Sequence, residues 1–104
     1  MNKQRKIDEL EKSISNLMLE ILPPLKLHVI LEDKFENLFK QLEELKILMV
    51  GKTDIKRSLA GRLFHFYYLV QRDMSFLPHS EHTNYLQSQL TILIVSVFND
   101  EYFK

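Results

Sequence analysis

The chain contains no cysteine, so a disulfide scaffold and a thiolate zinc site are both excluded. Nothing in it marks an oxidising compartment. Glycine and proline are scarce, with two and three residues among 104. Sheet-rich domains usually need more of these residues for their turns, so the scarcity favours helices.

An excess of charge is missing too, since 14 lysines and arginines balance 14 acidic residues. Nucleic-acid binding needs many cations to neutralise phosphates, so we expect no nucleic-acid partner. The apolar run at 91–98 is far shorter than the roughly 20 residues of a membrane helix. The basic start "MNKQRKIDELEK" continues into acids, unlike a signal peptide. We predict a cytoplasmic protein without stable membrane insertion.

What the chain does have is apolar residues spaced three and four apart, the period of a helix face. Four segments carry this spacing and predict four inner stripes. These are Ile7, Leu10, Ile14, Leu17 and Ile21; Phe35, Leu38, Leu42, Leu45 and Met49; Ile55, Leu59, Leu63, Phe66 and Val70; and Leu86, Leu90, Leu93, Val97 and Phe98.

Helix boundaries follow from the residues between these segments. The first helix is predicted to end at Leu22, because a residue before proline avoids the helical region. Gly51 is predicted to cap the end of the second helix. Thr53 and Ser80 are the predicted N-caps of the third and fourth.

The four segments predict one all-α domain, residues 1–104, folded as an antiparallel up-down four-helix bundle with short connections between neighbours. "LKLHVIL", 25–31, fits either the first two turns of the second helix or an extended lead-in. "TILIVSVF", 91–98, would also fit a strand. No turn signal separates it from the helical spacing before it, so we expect a helix.

The histidines are the first candidates for chemistry. His79 and His82 would share a helix face, as metal ligands often do, but Glu81 points elsewhere. His79 near a helix start would also suit a phosphocarrier, yet no anion-binding loop surrounds it. Nothing in the sequence orients His65 as a catalyst. We therefore predict no metal, no cofactor and no enzymatic activity.

A basic cluster and an aromatic group remain. The cluster is either a solvated face or a docking surface for an acidic partner or the inner membrane leaflet. Of the seven phenylalanines and four tyrosines, only Phe35 and Phe39 precede residue 60. The basic cluster comprises Lys52, Lys56, Arg57, Arg62 and Arg72. Among the aromatic residues, we expect Phe66, Tyr67 and Phe98 in the core, while Phe64 and Tyr68 widen the stripe of a third helix that we expect to be covered on several sides. The aromatic residues expected to contact a partner are Phe76, Tyr102 and Phe103.

Residues 61–90 read "GRLFHFYYLVQRDMSFLPHSEHTNYLQSQL". This segment resembles the immunity proteins of pediocin-like bacteriocins, of the enterocin A immunity type. In that family an Arg-Leu pair in the third helix precedes turns rich in tyrosine and phenylalanine. A short connection and a fourth helix with a polar start follow. Arg62-Leu63 and Tyr67-Tyr68 stand in the corresponding places, and the outline of the resemblance extends over residues 30–98.

The resemblance implies a cytoplasmic four-helix bundle that protects a producer cell from its own bacteriocin. It implies binding, at the inner face of the membrane, to the sugar permease of the mannose phosphotransferase system with bacteriocin bound. The family's specificity lies mainly in the C-terminal half. Carried over, the partner-binding residues are Arg72, Asp73, Phe76, His79, His82, Tyr102 and Phe103.

Three points stay open on the sequence. A small helical adaptor or regulator, binding another protein through the same aromatic half, is the alternative function. Weak self-association and the identity of the bacteriocin are not determined by the residues.

Overall fold

The computed structural model describes residues 2–99, which form four α-helices and their connections. They are α1 (Lys3–Lys26), α2 (Glu32–Met49), α3 (Arg57–Met74) and α4 (Glu81–Phe98). The prediction of an all-α four-helix bundle is confirmed. The stretch 91–98 continues α4 as a helix and forms no strand.

The helices form a ring in the order α1, α2, α4, α3, so α2 and α3 lie diagonally across the bundle. Contacts between α3 and α4 fix their directions. The Gln87 amide donates to Gln71 Oε1 over 2.9 Å, and the Phe98 ring stacks on Phe64. Residue numbers therefore rise along one helix as they fall along the other. Successive helices alternate in direction, as an up-down bundle requires.

The expectation that every connection joins neighbours is wrong for residues 50–56, which link the diagonal pair α2 and α3. Seven extended residues span about 23 Å. The diagonal of four helices packed roughly 10 Å apart is about 14 Å, so this connection is long enough to cross the end of the bundle.

Most of the core comes from the predicted stripes. Four residues of the α3 stripe and four of the α4 stripe are buried, as are Phe35, Leu38, Leu42 and Leu45 of α2. Leu10, Ile55 and Phe98 are only half-buried and pack on the edge of this core. The three-and-four spacing thus predicted most of the interior, because each helix buries one face. Five buried apolar residues of the described chain lie beside the predicted stripes: Met18, Leu25, Phe39, Met74 and Ile94.

The predicted end of α1 at Leu22 is wrong, since the helix runs through Pro23 and Pro24 to Lys26. Leu25 continues the inner stripe and is fully buried, which favours one more helical turn despite the prolines. Residues 25–31 are therefore divided between the last two residues of α1 and a connection.

His28 ends α1 in the left-handed conformation, with φ of 66°. The His28 N–H donates to the Leu25 carbonyl over 2.9 Å, and the Val29 N–H donates to the Pro24 carbonyl over 2.8 Å. This pair of bonds is the Schellman motif, in which glycine usually occupies the left-handed position. A side chain there costs backbone strain, so His28 is an unusual terminator.

Of the other predicted helix boundaries, two are confirmed and one is wrong. Gly51, with φ of 82°, follows α2 directly and confirms its predicted role. Ser80 caps α4 and forms a capping box with Thr83, as predicted for the N-cap. The prediction for Thr53 is wrong, because α3 begins at Arg57 and residues 53–56 belong to the diagonal connection.

Candidate functional site

The α1–α2 connection (27–31) and the α3–α4 connection (75–80) lie at the same end of the bundle, because successive helices alternate in direction. We call these two segments together the connection end. His82 in the first turn of α4 links it to Glu32 at the start of α2. Its Nε2 lies 2.8 Å from Glu32 Oε1 and also contacts Oε2. Both side chains are half-exposed, so the pair stabilises the fold by at most about 1 kcal/mol.

Phe76 is the most prominent side chain of the α3–α4 connection, with 69% of its surface exposed. The next residue, Leu77, turns inward and packs against the core. The Leu77 N–H donates to the Met74 carbonyl over 3.0 Å, which continues the turn after α3. Leu77 therefore anchors the connection while Phe76 is exposed to solvent, as predicted for a partner contact.

The α1–α2 connection adds exposed apolar groups that the sequence pattern did not predict. Leu27 is 78% exposed and Val29 is half-exposed, on either side of the strained His28. The sequence "LKLHVIL" has the apolar composition of a core segment, so the exposure of Leu27 and Val29 could not be predicted from it. The connection end thus carries exposed apolar side chains in both of its connections.

Arg72 and Asp73 contact each other. Arg72 Nε and Nη2 each lie 3.1 Å from Asp73 Oδ1. The Asp73 carboxylate is buried, whereas Arg72 is exposed. The Asp73 carboxylate therefore holds the exposed Arg72 guanidinium in position.

The remaining candidates occupy different places. His79 is exposed in the connection and His82 lies in α4, so the two imidazoles do not share a helix face. No group of three or more metal-ligating side chains comes together among residues 2–99. Tyr102 and Phe103 lie outside the described residues.

The aromatics of α3 are divided between interior and surface. Phe66 is buried, and Tyr67 is half-buried and accepts a hydrogen bond from Thr91 Oγ1 over 3.3 Å. Tyr68 is 61% exposed and Phe64 is also exposed. The expectation that α3 is covered on several sides is wrong within this chain, because α3 packs only against α1 and α4.

Most residues of the basic cluster form contacts with other residues of this chain. Lys56 Nζ lies 3.4 Å from Glu11 Oε1, and Lys52 Nζ donates to Gln4 Oε1 over 2.8 Å. Arg62 Nη1 donates to Ser15 Oγ over 3.3 Å. These contacts attach α3 and the diagonal connection to α1, a structural role that the sequence alone did not distinguish from docking.

Comparison with family models, curated proteins and solved structures gave no match to this chain. None of the helices among residues 2–99 has the length and apolar character required to cross a bilayer.

Proposed function

We propose that this protein is a bacteriocin immunity protein that acts by binding and without catalysis. In this proposal it protects the producer cell from the cytoplasm, by docking onto the mannose-phosphotransferase permease when a pediocin-like bacteriocin occupies it. The resemblance over residues 61–90 supports the family. The observation that carries the docking surface is the exposed Phe76 on a connection anchored by Leu77.

The connection end offers the chemistry of a small protein-binding surface. Leu27, Val29 and Phe76 supply apolar area, and Arg72 and His79 supply polar contacts at its rim. Aromatic and arginine side chains dominate the energetics of such surfaces. Burying the exposed part of Phe76 removes roughly 130 Å² from water and contributes about 3 kcal/mol. That corresponds to about a 100-fold change in affinity.

The test is protection of a sensitive strain that expresses the protein, challenged with a panel of pediocin-like peptides. We expect growth in the presence of at least one peptide. Phe76→Ala is expected to lower the tolerated peptide concentration strongly. Ile47→Ala, at an exposed apolar position in the last turn of α2 and so at the opposite end of the bundle from the connection end, is the matched control and should leave protection unchanged.

Two results would count against the proposal. One is growth inhibition by every peptide of the panel. The other is equal protection by wild type and Phe76→Ala, with both variants shown to be folded by circular dichroism.

A second candidate function, a soluble adaptor, is favoured by the exposed aromatics Phe64 and Tyr68 on the outer face of α3. An adaptor should retain a stable soluble partner from cell extract without any bacteriocin present. Phe64→Ala combined with Tyr68→Ala should then release it, whereas Phe76→Ala should not.

A further inference from the structure

A groove of about 820 Å³ runs between residues 12–22 of α1 and residues 58–66 of α3. We call it the α1–α3 groove. The facing surfaces carry the small residues Ser15, Ser58 and Gly61, which leave space between two neighbouring helices. Its volume is in the range of ligand-binding clefts, and it is separate from the connection end.

The floor of the α1–α3 groove is apolar. Met18 and Phe66 form its buried part, Leu22 is half-buried, and Leu19 is 69% exposed. Eleven helical positions from 12 to 22 extend for about 15 Å, or roughly three turns. The groove therefore offers an apolar strip as long as a short helix.

The ionisable groups that line the groove are Lys12, Arg62 and His65, and no carboxylate lines it. Within residues 2–99, Lys12 and His65 form no ion pair or side-chain hydrogen bond. Arg62 reaches Glu11 only at 3.9 Å, and that carboxylate is closer to Lys56, at 3.4 Å. The groove thus combines an apolar floor with two permanent cations, of which Lys12 has no ion pair among the described residues and Arg62 shares Glu11 with Lys56, and this arrangement complements an acidic ligand.

Gly61, on the α3 side of the groove, is a glycine inside a helix. A glycine inside a helix destabilises it by about 1 kcal/mol relative to alanine. A Cβ built at Gly61 meets no atom within 4 Å, so packing inside this chain does not require glycine there. The missing side chain allows a second backbone to approach α3 closely.

We propose that the α1–α3 groove binds an acidic amphipathic helix of another protein. Its apolar side chains, at i, i+3, i+4 and i+7, pack on Leu19 and on the exposed part of Leu22. Its acidic side chains meet Lys12 and Arg62. This partner is additional to the bacteriocin-bound permease, because the groove does not include the connection end.

The open geometry favours a helix over a small anionic amphiphile. Leu19 faces solvent across most of its surface, so a single acyl chain in the groove would remain largely wet. Small-molecule sites usually bury 70–90% of their ligand, whereas helix-binding grooves are open on one side.

The probe is a labelled peptide of about 14 residues, roughly four helical turns, with leucine along one face and glutamate elsewhere. Binding to the full-length protein is followed by fluorescence anisotropy. A peptide with glutamine in place of each glutamate tests the charge, and sodium decanoate tests an anionic amphiphile as competitor. We expect the glutamate peptide to bind at least 10-fold more tightly than the glutamine peptide, and decanoate to compete weakly.

Single substitutions test whether the glutamate peptide binds in the α1–α3 groove. Gly61→Gln fills the open space beside α3, and we expect it to weaken the glutamate peptide at least 10-fold. Ser88→Gln on the exposed surface of α4 is its matched control and should leave binding unchanged. Lys12→Gln should weaken the glutamate peptide and spare the glutamine peptide, whereas Lys40→Gln on α2 should affect neither.

Four results would overturn the proposal: no binding of the glutamate peptide, equal binding of both peptides, full affinity in Gly61→Gln, or displacement of the peptide by low decanoate concentrations. Self-association that Gly61→Gln abolishes, measured by sedimentation, would replace the helix by a second copy of this chain. Protection against bacteriocin depends on Phe76 and should survive Gly61→Gln, so the two proposals fail separately.

Discussion

Replacing Gly61 by alanine should make the protein more stable. Gly61 lies in the second turn of α3 with φ outside the left-handed region, so alanine adopts its backbone conformation without strain. The new Cβ meets no atom within 4 Å, so no clash opposes the change. The helix propensity difference then acts alone and raises the free energy of unfolding by about 1 kcal/mol. For a chain of this size that raises Tm by roughly 4–6 °C.

The assay is urea and thermal unfolding followed by circular dichroism at 222 nm. The neighbouring Ala60→Gly is the opposite exchange, and it should lower stability by at least about 1 kcal/mol, because the half-buried Ala60 also loses the contacts of its methyl group. The double variant, which exchanges the two residues, should lie at or below the stability of wild type. A neutral or destabilising Gly61→Ala would contradict this expectation, because it would mean that the space beside Gly61 is occupied in the folded chain.

Three further predictions concern single residues, each measured by urea denaturation. His28→Gly should stabilise the protein by about 0.5 kcal/mol, because relief of left-handed strain exceeds the added entropy of the unfolded chain; a loss of stability would contradict the strain. Ser80→Ala should cost about 1 kcal/mol through loss of the capping box, and no change would show that α4 needs no cap. Arg72→Gln should cost about 1–3 kcal/mol, because it leaves the buried Asp73 carboxylate without its donors. The control Lys40→Gln should be neutral, and an equal loss in both variants would remove the structural role of Arg72.

The helices and their buried stripes were predictable because burial of one face imposes the three-and-four spacing directly on the residues. The end of α1 was not, since the rule at Pro23 is local while the burial of Leu25 depends on the neighbouring helices. The same applies to the start of α3, where a chain that must cross the bundle diagonally cannot begin its helix at Thr53.

Some features of the candidate site could also be predicted from the sequence, and others could not. The exposure of Phe76 was predictable because it stands in a connection, where few core neighbours are available. Leu27 and Val29 were missed because their exposure depends on the Schellman turn at His28. The α1–α3 groove was also missed, because a concave surface arises from two helices that are adjacent in space and distant in sequence.

The most direct test of the account is co-purification. The tagged protein is recovered from detergent-solubilised membranes of a sensitive strain, with and without a pediocin-like peptide against which it protects. We expect the mannose permease to be retained only when the peptide is present, and Phe76→Ala to abolish this retention while Ile47→Ala does not. Retention that is independent of the peptide, or protection without any retained permease, would contradict the proposed function.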